Sequence, residues 1–75
     1  MESRIIVNPH ICHGKPVVRG TRIMVADVLD LLESGKSFNE IINNYFPDLT
    51  PEDIASCVYF ASAMVQNEEI VLAAS

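Results

Sequence analysis

SFNEIINNYFPDLTPEDI, residues 37–54, decides the fold, because it holds two helix starts with one helix stop between them. Ser37-Phe38-Asn39-Glu40 has capping-box spacing: the serine oxygen accepts one orphan N–H of the first turn, and the glutamate reaches back for another. Phe38, Ile41, Ile42, Tyr45 and Phe46 then fall on one helix face, and Pro47-Asp48 stops the helix. Thr50 stands at the next N-cap, with Pro51 at the first helical position, where a missing N–H is harmless. Glu52 and Asp53 lie on the positive end of the helix dipole. Beyond them Ile54, Cys57, Val58, Ala61, Met64 and Val65 share a face, Phe60 widens the apolar arc, and Tyr59 points nearly opposite.

A further helix precedes this stretch. Val25, Val28, Leu29 and Leu32 recur at helical spacing from about Val25 to Ser34, and Gly35 is placed for a left-handed C-cap. Three helices with connections of a few residues make a tri-helical unit. The second and third, joined through Pro47-Asp48-Leu49, have the proportions of a helix-turn-helix.

The N-terminal third reads differently. Arg4-Ile5-Ile6-Val7-Asn8-Pro9 is β-branched and ends on a turn dipeptide, so it reads as a short strand. His10 to Lys15, with Gly14, reads as a loop. Pro16 to Ile23 reads as extended, with Gly20 at a tight turn or bulge and Pro16 favouring an edge position. The expected architecture is mainly α: a three-helix, helix-turn-helix bundle behind a short β arm. It forms one domain over residues 1–75, with arm and loop at 1–23, tri-helical core at 24–66 and tail at 67–75. The tail, from Glu68 to Ser75, fits a helical extension and a strand equally well.

Composition sets further bounds. A 75-residue chain buries little surface, yet 49% of its residues are hydrophobic and its mean hydropathy is +0.25. Apolar area left exposed commonly becomes an interface, so a homodimer or an obligate protein partner is expected. Residues 1–22 carry Arg4, Lys15, Arg19 and Arg22 against Glu2, a local net of +3. Residues 23–75 carry Lys36 against nine acids, a local net of −8. Such asymmetry fits either a nucleic-acid-binding arm or an oppositely charged protein partner. The N-terminal apolar run is too short for a secretory segment, no stretch is long enough to span a bilayer, and Cys12 with Cys57 makes no disulfide framework. A cytoplasmic protein with free thiols is expected, without a membrane association.

Gly14-Lys15-Pro16-Val17-Val18-Arg19-Gly20-Thr21-Arg22-Ile23 and, further on, Tyr45-Phe46-Pro47-Asp48-Leu49-Thr50-Pro51-Glu52-Asp53-Ile54 resemble the two signature blocks of the family known as domain of unknown function 433. The resemblance covers about residues 4–65, with Met24 where proline is usual and Phe46 inserted between Tyr45 and Pro47. It implies a homeodomain-like tri-helical fold behind a β arm. Members of the family are often regarded as antitoxins similar to those that pair with PIN-like nuclease toxins, and the resemblance carries that expectation to this chain.

Candidate sites follow from these readings. Arg4, Lys15, Arg19 and Arg22 form a basic arm that could contact phosphates or an acidic partner. The alternative is that Arg19 and Arg22 pair with the protein's own acids, such as Asp27 or Asp30. Tyr59, Phe60, Met64, Ile70 and Leu72 form the candidate partner or dimer surface. Gly14, Pro16, Gly20, Thr21, Thr50 and Asp53 are motif positions with structural roles. The third helix makes a poor DNA-reading helix: it lacks lysine and arginine from Leu49 onward, and Glu52 and Asp53 occupy the end that would meet the bases. Gly14-Lys15, followed by proline in extended chain, is no phosphate loop. His10, Cys12, His13 and Cys57 match no standard metal spacing, and no third group orients a nucleophile and base. No metal, cofactor, small-molecule substrate or catalysis is therefore expected. Two function classes remain: an antitoxin-like interaction module, and a dimeric DNA-binding regulator acting through the arm.

Overall fold

The computed structural model describes the backbone of residues 4–74 and the side chains of residues 4–66. Its elements are β1 (Ile5–Ile6), β2 (Val17–Val18), α1 (Val25–Glu33), α2 (Phe38–Asn44) and α3 (Pro51–Ala74). The protein is mainly helical, three helices behind a two-stranded antiparallel sheet, in which Ile5 pairs with Val18 and Ile6 with Val17.

The arm is a double hairpin. Val17 pairs with Ile6 on one side and bridges Met24 on the other, so β2 is central rather than the edge that Pro16 favours. Pro16 is accommodated because it precedes the ladder, and its carbonyl accepts from the Val25 N–H at 3.0 Å. The return turn is closed by Thr21 N–H donating to the Val18 carbonyl at 3.0 Å. Gly20 holds the left-handed position of that turn at φ +80°. Thr21 fastens it a second time: its hydroxyl donates to the Val18 carbonyl at 2.8 Å and accepts from the Ile23 N–H at 3.0 Å.

Each helix start and stop has its chemistry in place. Ser37 Oγ accepts from the Glu40 N–H at 3.1 Å, while Glu40 Oε1 accepts from the Ser37 N–H at 2.9 Å. Gly35, at φ +95°, ends α1 in a Schellman motif, with Lys36 N–H on the Leu31 carbonyl and Gly35 N–H on the Leu32 carbonyl. The inserted Phe46 is absorbed by a wider last turn of α2: its N–H reaches back five residues to the Ile41 carbonyl at 2.8 Å. That turn packs Phe46 against the core and leaves Tyr45 exposed, so Tyr45 drops out of the apolar face expected for α2.

The core gathers Ile5 and Val18 from the sheet, Val25 and Val28 from α1, Ile41 from α2, Leu49 from the turn, and Ile54 and Cys57 from α3. Each such large side chain contributes roughly 1.5–3 kcal/mol when fully buried. The face expected for α3 is only half used. Val58 is 43%, Met64 45% and Val65 64% exposed. For Met64 and Val65 the reason is length: α3 runs 24 residues against nine in α1 and seven in α2, and its last described core contact is Phe60, whereas Val58 stands at the flank of the core face beside buried Cys57. The radius of gyration, 13.2 Å, exceeds the roughly 11 Å of a compact chain of this length. The tail resolves in favour of helix, since α3 continues to Ala74.

Candidate functional site

Sequence places four basic residues on the arm, and the fold gives them separate fates. Arg19 N–H donates to the Arg4 carbonyl at 2.7 Å, which ties the hairpin turn to the first strand. The Arg4 guanidinium then crosses to α3 and pairs with Asp53 Oδ1 at 3.1 Å. Arg4 thus anchors the arm to the tri-helical body. The acid it meets, Asp53, is on α3. Lys15, Arg19 and Arg22 have exposed side chains on the hairpin and its approach.

Asp53 is the hub of this corner. Its other oxygen accepts from the Thr50 N–H at 3.0 Å, and its own N–H donates to Thr50 Oγ1 at 3.2 Å. Thr50 and Asp53 thereby form a reciprocal cap at the start of α3, the same device as Ser37 and Glu40. Burial works to raise the Asp53 carboxyl, but hydrogen bonds from Thr50 and from Arg4 together hold it below the ordinary carboxylate value. The sequence contains the Thr50–Asp53 spacing, but nothing in it pointed to the link with Arg4, 49 positions away.

The loop before β2 carries an unforeseen feature. Cys12, His13 and Gly14 all have left-handed backbone, at φ +50°, +58° and +79°. The bend is closed by Lys15 N–H on the Cys12 carbonyl, and the Cys12 thiol donates to the Arg22 carbonyl at 3.5 Å. This pins the loop to the end of the hairpin. Cys57 is fully buried in the core, and burial first, then the Asp53 charge, pushes its thiol up to about 11. Among the described residues no three His, Cys, Asp or Glu side chains lie close enough to hold a metal ion. Nor, among the described residues, is any helix long and apolar enough to cross a membrane.

The residues expected to form one partner surface on α3 divide. Phe60 packs against the core. Tyr59, rotated about 200° from the buried Cys57, is 77% exposed on the far side of the helix. Met64 lies beyond the body and is exposed. Ile70 and Leu72 belong to α3 by backbone, and their side chains lie outside the described residues. Val58 and Val65, assigned to the core face by spacing, are additions to the exposed apolar set. Periodicity gives the direction of a helical side chain but not whether anything lies beneath it.

With this arrangement in view, a family model described as a protein of unknown function (DUF433) matches residues 5–61, from β1 well into α3. The chain belongs to the DUF433 family. The crystal structure of a DUF433 member protein from Anabaena variabilis superposes with a TM-score of 0.77 at 26% identity, covering 96% of this chain and 70% of that one. No curated protein matches. In this DUF433 chain the family match takes in the arm, the Arg4-to-Asp53 corner's α3 side and the core. It ends at Ala61, before the exposed Met64 and Val65.

Proposed function

We propose that this DUF433 protein is an antitoxin-like interaction module, dimeric, that neutralises a PIN-like nuclease by binding rather than by catalysis. The observation that carries the reading is the apolar surface α3 leaves uncovered: a 24-residue helix whose described core contacts end at Phe60, with Met64 and Val65 exposed beyond it and Tyr59 exposed on its far side. An apolar helix surface of this kind needs a second chain to cover it. Charge adds the kind of partner. Residues 23–75 carry a net of −8, which suits the basic substrate groove of a nuclease and would block nucleic acid by electrostatic mimicry. The module operates in the cytoplasm, where both cysteines remain free.

Co-expression with the PIN-type nuclease encoded beside it, followed by size exclusion with light scattering and an RNA-cleavage assay, tests the reading. A defined complex with cleavage suppressed is expected. Separate elution with cleavage unchanged would sink it.

One observation favours the second reading, a dimeric DNA-binding regulator. Lys15, Arg19 and Arg22 are exposed on a hairpin stiffened by Gly20 and Thr21, a rigid basic element that a dimer would present twice. The start of α3 is unsuited to base reading, because Asp53 there is committed to Thr50 and Arg4. Arm contacts to phosphates predict steep salt dependence and weak sequence preference. Unchanged DNA affinity in the Arg19→Ala, Arg22→Ala double variant would remove this reading.

A further inference from the structure

We propose that the hairpin tip, Arg19-Gly20-Thr21-Arg22, enters the minor groove of double-stranded DNA, with Lys15 on a flanking phosphate. This deepens the second reading above and rests on it: that reading gives the arm DNA as its partner, and the tip's geometry gives the groove. The tip is held on several sides. Thr21 N–H donates to the Val18 carbonyl at 3.0 Å, and Val18 N–H donates to the Ile23 carbonyl at 2.9 Å. The Thr21 hydroxyl bonds the same two residues, the Arg19 N–H reaches the Arg4 carbonyl, and the Cys12 thiol donates to the Arg22 carbonyl. A tip fixed in this way loses little backbone freedom on binding. Arg19, Gly20 and Arg22 are exposed at its end, and open space surrounds the position of a Gly20 Cβ. Among the described residues no carboxylate pairs with Lys15 or Arg22. Cations without an internal counter-ion, carried on a rigid element, suit a polyanion.

The fold decides how much of the hairpin reaches a duplex. The major groove, about 12 Å wide, takes a two-stranded ribbon laid in by one face. β2 has no such face to give: Val17 and Val18 are both buried, and β1 flanks β2 on one side and Met24 on the other. The body behind opposes a broad contact too, with a net of −8 over residues 23–75. Only the tip remains, and its side chains fit a narrower slot. The minor groove is about 6 Å wide, and where A-tracts narrow it further its negative potential deepens and draws in arginine. Arg19 and Arg22 flank Gly20, which has no side chain to hold the backbone away from the groove rim. Lys15 N–H donates to the Cys12 carbonyl, and Cys12 in turn holds Arg22, so the lysine stays close behind the tip for a phosphate contact. The minor groove's donor and acceptor pattern is degenerate, so this mode reads groove width rather than a defined sequence. That agrees with the weak sequence preference expected of the arm.

Fluorescence anisotropy on the full chain at low salt tests the assignment, with two labelled duplexes of equal length, one an A-tract and one all G·C. The A-tract duplex should bind at least about fivefold more tightly. The Arg19→Lys, Arg22→Lys double variant then separates groove entry from charge. It keeps both charges at exposed positions, but lysine is the more strongly hydrated cation, so entering a narrow groove costs it more desolvation. The variant should bind the G·C duplex within about twofold of the parent and lose the A-tract preference. Equal affinity of the parent for the two duplexes, or a preference that survives in the double variant, would overturn the minor-groove assignment and leave the DNA reading standing. Absence of binding to either duplex would overturn both together. The antitoxin reading, which makes no use of the tip, would be unaffected by either failure.

Discussion

Arg4 Nη1 lies 3.1 Å from Asp53 Oδ1, and through this contact the N-terminal arm is joined to the first turn of the third helix. The two ends of the pair differ in setting: the Arg4 side chain is 50% exposed and that of Asp53 only 13%. Asp53 also caps α3 with Thr50, so the two partners should not be equal under mutation. Asp53→Ala removes a cap and an ion-pair partner and is expected to lower stability by about 1–2 kcal/mol. Arg4→Ala removes a half-exposed, solvent-screened charge and should lower it by less than about 1 kcal/mol. Urea unfolding of both variants checks this order, and an equal or reversed order would show that the ion pair, not the cap, dominates the corner.

The same carboxylate gives the stability a pH dependence. The folded-state value for Asp53 is lowered from its ordinary 3.8, and that for Glu40 from 4.5, the latter chiefly by its hydrogen bond from the Ser37 N–H. A carboxyl depressed on folding stabilises fully above its unfolded value, and that contribution is lost as pH falls through the folded one. Stability attributable to these caps should therefore be level near neutrality and decline below about pH 4. Urea midpoints measured from pH 6 down to pH 3 should show a shallower decline for Asp53→Asn than for the parent chain.

Cys12 and Cys57 should separate by reactivity. Cys57 is fully buried and its thiol is raised to about 11, whereas Cys12 is half-buried in the loop before β2. A thiol-specific reagent at pH 8 should modify one cysteine per native chain, at Cys12, and both in denaturant. The linkage for Cys57 has the opposite sense to that of Asp53. Its contribution is complete below the unfolded thiol value near 9 and is lost as pH rises from there through 11. Alkaline unfolding should begin in that window, and Cys57→Ala should blunt it.

The three helices were legible because their ends are written locally. Ser37 with Glu40, Thr50 with Pro51, and Gly35 are each read within four residues, and each occupies its expected position. The arm was legible as extended chain with a turn at Gly20, but its pairing was not, because β2 contacts both β1 and Met24 through backbone groups that every sequence has. The left-handed Cys12 and His13 carried no residue signal, since such geometry usually falls to glycine or asparagine. The α3 surface was half legible. Its apolar spacing was plain, but exposure at Met64 and Val65 depends on where α1 and α2 stop, a property of the assembled body.

The hairpin turn should be intolerant in a specific way. Gly20, at φ +80°, has open space where a Cβ would stand, so substitution there meets backbone strain rather than a clash. Gly20→Ala is expected to destabilise by about 1–2 kcal/mol. Thr21→Val keeps the shape but loses both hydrogen bonds, to the Val18 carbonyl and from the Ile23 N–H, and should lose a similar amount. Thermal melts of the two single variants and the double variant test whether turn and latch act together. A double-variant loss well short of the sum would show that Thr21 matters only while the turn is formed.

Ile54 and Val65 lie on the same helix, one inside the core and the other exposed on the α3 surface. Ile54 is 0% exposed and packed among Val28, Ile41 and Cys57 in the core cluster, whereas Val65 is 64% exposed beyond the body. Ile54→Ala opens a cavity and should lower stability by about 2–5 kcal/mol at every protein concentration. Val65→Ala removes nothing from the protomer's core, and its effect should appear only where a second chain is present. At dilutions that dissociate the dimer, its melting temperature should match the parent's. At high concentration it should fall below the parent's, because association stabilises the native state by mass action. A Val65→Ala melting temperature that trails the parent's equally at all concentrations would place Val65 in the protomer's own packing and remove it from the dimer surface.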